Sequence, residues 1–169
     1  AVDIEPLVER QAVQDVIALT RALHHRADRL NWLAILRAPW CGLTLADLSA
    51  LAGDDHATTI WSLMNDAERS MRLSADGQQR LGHLRTVMKE ALAGQGRQRR
   101  RVWVEDAWKK LGGPQCLAHA GEQLDVQAFF NRLDALDAAG RFAIDTLEAD
   151  MAGLFAAADA QADGRLQLM

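Results

Sequence analysis

The chain has 169 residues, 49% hydrophobic and 25% charged, enough apolar material for one buried core and too little length for a large multidomain machine. A net charge of -4 excludes a uniformly basic coat for nucleic acid while leaving room for a local basic patch. Two cysteines, Cys41 and Cys116, are too few for a disulfide framework and fit no metal-ligand spacing, as expected of a reduced compartment.

No run approaches the ~18 apolar residues of a membrane span, and the opening AVDIEP is acidic where a secretory signal is basic. The expected setting is cytoplasmic. The chain opens without Met and closes on RLQLM, as expected of a fragment of a longer protein.

Apolar residues recur at three- and four-residue spacing almost throughout, so the predicted fold is all-α, with many helices and at most one short C-terminal strand. A first helix is predicted over residues 8–24, with Val13, Val16, Ile17, Thr20 and Leu23 on one face and Glu9 near its positive end. Asp28 caps a second helix whose face is Leu30, Leu33, Ala34 and Leu36, with Trp32 beside it and Pro39 as its stop. After a PWCG turn, Thr44 begins a short helix with Asp47 three positions on, an Asp form of the capping box, burying Leu45, Leu48 and Leu51 up to Gly53.

Thr58 or Thr59 caps the next helix, through Ile60, Leu63 and Met64. Ser74 or Asp76 opens a longer one carrying Leu81, Leu84, Val87, Met88 and Leu92 and ended by GQG. Residues 97–111 resume with Val102, Trp103, Ala107, Trp108 and Leu111 as core, stopped by LGGP. Asp125 caps a helix bearing Phe129, Phe130, Leu133 and Leu136 and closed by Gly140; Ile144, Leu147, Met151, Leu154 and Phe155 line the last. RLQLM alone reads as a strand, and residues 93–98 as the flexible point.

Charge is unevenly distributed. Residues 1–68 hold 5 basic and 10 acidic side chains, residues 69–110 hold 11 and 4, and residues 111–169 hold 3 and 9. The densest part of the positive segment is Arg97, Arg99, Arg100 and Arg101. Two uses are open for it: contact with a polyanion, or a solvated face paired with Glu105, Asp106 or the acidic flanks, the commoner fate of surface arginines.

Catalytic signatures are missing. No phosphate loop, GxGxxG turn or HExxH zinc spacing occurs. His24 and His25 are adjacent and diverge on a helix, while His56, His83 and His119 stand alone, as surface or capping histidines do. Asp54 with Asp55, and Asp145 with Glu148, have no nucleophile beside them. Trp32, Trp61, Trp103 and Trp108 lie on or beside apolar stripes, where burial is the ordinary outcome; Trp40 lies in the turn.

The order of segments carries a resemblance. VERQAVQDVIALTRAL, then ADRLNWLAILRAPWCGLTLADLSAL, and finally RLQLM resemble the second half of UvrD/Rep/RecB-type superfamily-one DNA helicases. Glu9, Arg10, Val13 and Asp15 match that family's E-R-x-x-[IV]-x-D helix, which leads into the insertion subdomain called 2B; Leu166, Gln167, Leu168 and Met169 match the strand that returns to the core. LRAPWCGL, VWVEDAW, LGGP and the LFA segment over residues 154–159 are similar to the AddA/RecB-like repair branch.

The resemblance implies three parts: residues 1–25 as a helix arriving from the second RecA-like motor domain, 26–160 as a helical 2B-like insertion, and 161–169 as the start of the returning strand. It implies that ATP and Mg act in the parent enzyme, with no cofactor, metal or catalytic residue in this segment, and that its partners are duplex DNA, the RecA-like domains and a possible nuclease subunit. The family's P-x-x-G-I-G turn holds phosphates through backbone N–H groups; Gly42, Leu43 and Thr44 stand at the matching positions, with Thr44 where the last glycine belongs. Gly42, Leu43, Thr44, Arg97, Arg99, Arg100 and Arg101 are therefore the expected sequence-independent DNA contacts. The alternative is a helical interaction module that docks a partner subunit without touching DNA.

Overall fold

The computed structural model describes residues 5–154. Among them run nine α-helices and no strand: α1 (Gln11–His24), α2 (Arg29–Arg37), α3 (Leu45–Ala52), α4 (Ile60–Met64), α5 (Ala67–Ser70), α6 (Ala75–Ala93), α7 (Arg100–Leu111), α8 (Ala120–Ala138) and α9 (Leu147–Met151). The all-α prediction is met over this span. The expected strand RLQLM and Phe155 lie outside the described residues. No described helix is long and apolar enough to cross a membrane.

Helices begin where a side chain can accept from the first unpaired backbone N–H groups. Asp28 accepts from Asn31 N at 3.2 Å, Thr44 from Asp47 N at 3.1 Å, Thr59 from Ser62 N at 3.1 Å and Ser74 from Gly77 N at 3.0 Å, all at expected starts. Asp66 caps α5, a four-residue helix too short to show periodicity.

Two starts differ from expectation. Arg10 is extended (φ -73°, ψ 130°), so the expected residue 8 start becomes a 3-10 turn at Leu7–Glu9 and α1 opens at Gln11. The helix expected to be capped by Asp125 is capped six residues earlier, because His119 accepts from Glu122 N at 3.3 Å and Glu122 accepts in return from Ala118 N at 2.8 Å. Asp125 then falls inside α8, 1% exposed, with Arg10 Nε 3.9 Å away.

α1 is the centre of the core. Val13, Val16, Ile17, Leu19, Ala22 and Leu23 are all buried, and α2, α6, α7 and α8 pack around them. The described part of the segment expected to arrive from a neighbouring unit packs into the hydrophobic cluster that, among the described residues, runs from Leu7 to Met151. Leu7 N donates to Leu154 O at 2.9 Å, joining the two ends of the described chain.

The expected face of α2 is rotated. Trp32, Ile35 and Leu36 are buried and Leu30 is 77% exposed, because the Trp32 ring stacks toward Trp61 (centroids 5.4 Å) and its Nε1 donates to His25 O at 3.1 Å. An indole buries more apolar area than a leucine and carries a donor that needs a partner, so its placement sets the helix phase. In α3, Leu45 is 69% exposed and Asp47 is buried, where it accepts from Ser74. α7 buries Val104 in place of Val102, and stops at Gly112, whose φ of 90° is the left-handed cap. The last expected helix is a 3-10 turn followed by short α9, with Leu147 and Met151 as its buried residues.

Candidate nucleic-acid interface

The turn between α2 and α3 is held by its own backbone. Ala38, preceding Pro39, is extended and ends α2. Its carbonyl accepts from Cys41 N at 2.9 Å and Gly42 N at 2.8 Å, and Leu36 O accepts from Leu43 N at 3.0 Å. Gly42 takes φ of +64°, which only glycine adopts without strain. Of the expected contacts, the amides of Gly42 and Leu43 are occupied inside the turn, and the Leu43 side chain is 1% exposed. Thr44 is at the surface, but its hydroxyl caps α3. Of the backbone donors there, Leu45 and Ala46, in the exposed first turn of α3, make no backbone bond among the described residues.

Two arginines that sequence reasoning did not single out grip this turn. Arg37 donates to Leu43 O at 3.1 Å, and Arg80 of α6 donates to Cys41 O at 3.0 Å while pairing with Asp76 at 2.7 Å. Asp47 adds a third tie, accepting from Ser74 N at 2.8 Å and Ser74 Oγ at 2.9 Å. Local sequence carries no signal for any contact spanning 27 or 39 residues.

The arginine cluster divides. Arg100 pairs with Asp137, donates through Nε to His24 Nε2 at 2.9 Å and lies 3.6 Å over the Phe142 ring. Arg101 reaches Glu105 at 3.3 Å, Asn131 at 2.8 Å and Gln127 at 3.0 Å. Both are thus engaged, half-buried, at the joint of α7 with α8 and its other neighbours. Arg99 is 69% exposed and 3.8 Å from Asp134, and Arg97 is exposed with no ion pair among the described residues. Arg97 and Arg99 are the members that project outward, some distance in sequence from Thr44, and no described contact joins the two groups.

Several other ionisable groups make contacts within the fold. Asp54 pairs with Arg69 at 2.6 Å, and Asp55 accepts from Ala57 N, Thr58 N and Thr58 Oγ1, bonds that hold its carboxyl down at about 2. Glu148 lies 3.5 Å from Arg21. No group of three or more His, Cys, Asp or Glu placed to hold a metal ion occurs among the described residues. Trp40 donates to Ile35 O at 3.0 Å, so its polar edge is turned into the protein and not toward a base.

Comparison of the chain with protein-family models, with curated proteins and with solved structures finds no match.

Proposed function

We propose that the chain is a 2B-like accessory domain of an ATP-dependent DNA helicase or helicase-nuclease of the UvrD/RecB type, acting in cytoplasmic DNA recombination or repair. It holds or gates duplex without reading bases, while ATP, Mg and hydrolysis belong to RecA-like motor domains of the parent protein. The observation that carries this reading is the collinear run of family-like segments over an all-α chain, with the APWCGLT segment forming a tight turn into a Thr-capped helix. In this reading the duplex meets the amides of Leu45 and Ala46 at the start of α3 and the guanidinium groups of Arg97 and Arg99, all sequence-independent phosphate contacts.

Titration of the chain with a fluorescent duplex at several salt concentrations tests it. Two phosphate-contacting arginines give a log-log slope of about -2, and R97A with R99A flattens it. Absence of salt-dependent binding at micromolar protein overturns the DNA role. A second reading, docking of a partner subunit such as a nuclease, draws on the internal pairing of Arg100 and Arg101 and on the exposure of Leu30, Leu45 and Met71 at 77%, 69% and 75%. It is favoured by that negative result.

A further inference from the structure

His24 has both ring nitrogens assigned by its neighbours. Nδ1 lies 2.6 Å from Thr20 O, a carbonyl that can only accept, so Nδ1 carries the proton. Nε2 lies 2.9 Å from Arg100 Nε, a group that can only donate, so Nε2 offers its lone pair. The imidazole is therefore the neutral Nδ1–H form, wedged edge-on to Trp103 (centroids 5.2 Å) and beside Phe142 (5.3 Å).

We propose that His24 is an acid-sensitive clasp, holding Arg100 at the first turn of α7 while neutral and releasing it when Nε2 takes a second proton. A proton there points one donor at another and sets imidazolium against guanidinium. It also gives Asp137, the carboxylate paired with Arg100, a second cation to choose, and of the two cations only His24 titrates near neutrality. The other charges nearby are engaged elsewhere: Arg21 of α1 with Glu148, Arg99, just before α7, with Asp134 of α8, and Arg101 of α7 with Glu105. His25, the neighbouring histidine, turns away to accept from Ala27 N.

Burial, then the Arg100 charge, pull the His24 pKa below its ordinary value, against the raising effects of the Thr20 carbonyl and Asp137. The unfolded chain then binds the extra proton first. Stability is full above about 6.5, the ordinary histidine value, and is lost as pH falls through the folded value. The joint that loosens is where α1, α7 and α8 meet, and its loss exposes Arg100.

Nitrogen NMR of the imidazoles in the whole 169-residue chain tests this without any substitution. The expected result is an Nδ1–H tautomer for His24 at pH 7.5, titration below 6.5, and a fall in Trp103 emission with the same midpoint as the ring is protonated beside it. R100Q removes the opposing charge and is expected to move that midpoint upward. An Nε2–H tautomer, titration at or above 6.5, or an Arg100 Nε–H that stays slow to exchange below the midpoint overturns the clasp.

Discussion

Replacing Asp47 by alanine tests whether a carboxylate from α3 holds the start of α6. It removes two hydrogen bonds to a charged acceptor, from Ser74 N at 2.8 Å and Ser74 Oγ at 2.9 Å, each in the range of about 1.5–3 kcal/mol. Ser74 is at the surface, so water replaces part of the loss, and a total near ~3 kcal/mol is expected, or ~6–12 °C in Tm for a chain of this length. Gly77 supplies the internal control. A Cβ placed there lies 2.3 Å from Asp47 Oδ2, so G77A in the natural chain forces the carboxylate off Ser74 and destabilises by about 1–3 kcal/mol. With Asp47 already alanine the obstruction is gone, and the same change gains up to ~1 kcal/mol from alanine's helix propensity. Urea unfolding of the two single variants and the double variant gives the coupling. If G77A has the same sign in both backgrounds, or D47A costs less than ~0.5 kcal/mol, the carboxylate is not the tie described.

Two other outcomes follow from the geometry. At Gly113 an added Cβ meets the buried Trp108 indole at 2.0 Å, so G113A is expected to cost about 3 kcal/mol and to alter near-ultraviolet circular dichroism; G96A, at φ +84° with nothing within 4 Å, is expected to cost ~1–2 kcal/mol and leave that spectrum unchanged. Cys41 is 1% exposed and burial pushes its thiol up to about 11, whereas Cys116 is exposed, so a disulfide-exchange reagent is expected to label one thiol in the native protein and two in denaturant.

What the sequence made legible divides by the range of the interaction. Asp28, Thr44, Thr59 and Ser74 were readable as helix starts because each accepts from an amide three residues ahead, a contact contained in the local string. The core residues of α6 were readable because its sequence has one clear apolar stripe. The phase of α2 was not, because Leu30 and Trp32 compete for burial and the winner is chosen by Trp61, on another helix. His119 was readable as a surface or capping histidine, but the start of α8 was placed at Asp125 because aspartate is the more familiar cap.

The candidate site was legible only in part. The charge density over residues 97–101 is a property of composition, but which arginines stay available depends on Asp137, Asn131 and Gln127, supplied by α8. The sequence shows His24 only as one of two adjacent histidines that diverge on a helix; its partner, Arg100, lies 76 positions later. The glycine turn has the right residues for approach by an anion, yet Leu43 faces the core and the amides before it bond inward.

Arg80 and Asp47 grasp the two ends of one short segment, the turn at Cys41 and the third residue of α3, and both fasten it to α6. Nineteen residues of helix at ~1.5 Å each make a rod of almost 30 Å. The turn at Cys41 is thus fastened near one end of this rod, while the loop that bears Arg97 and Arg99 leaves the other end, at Ala93, so a single helix fixes the spacing between the two groups.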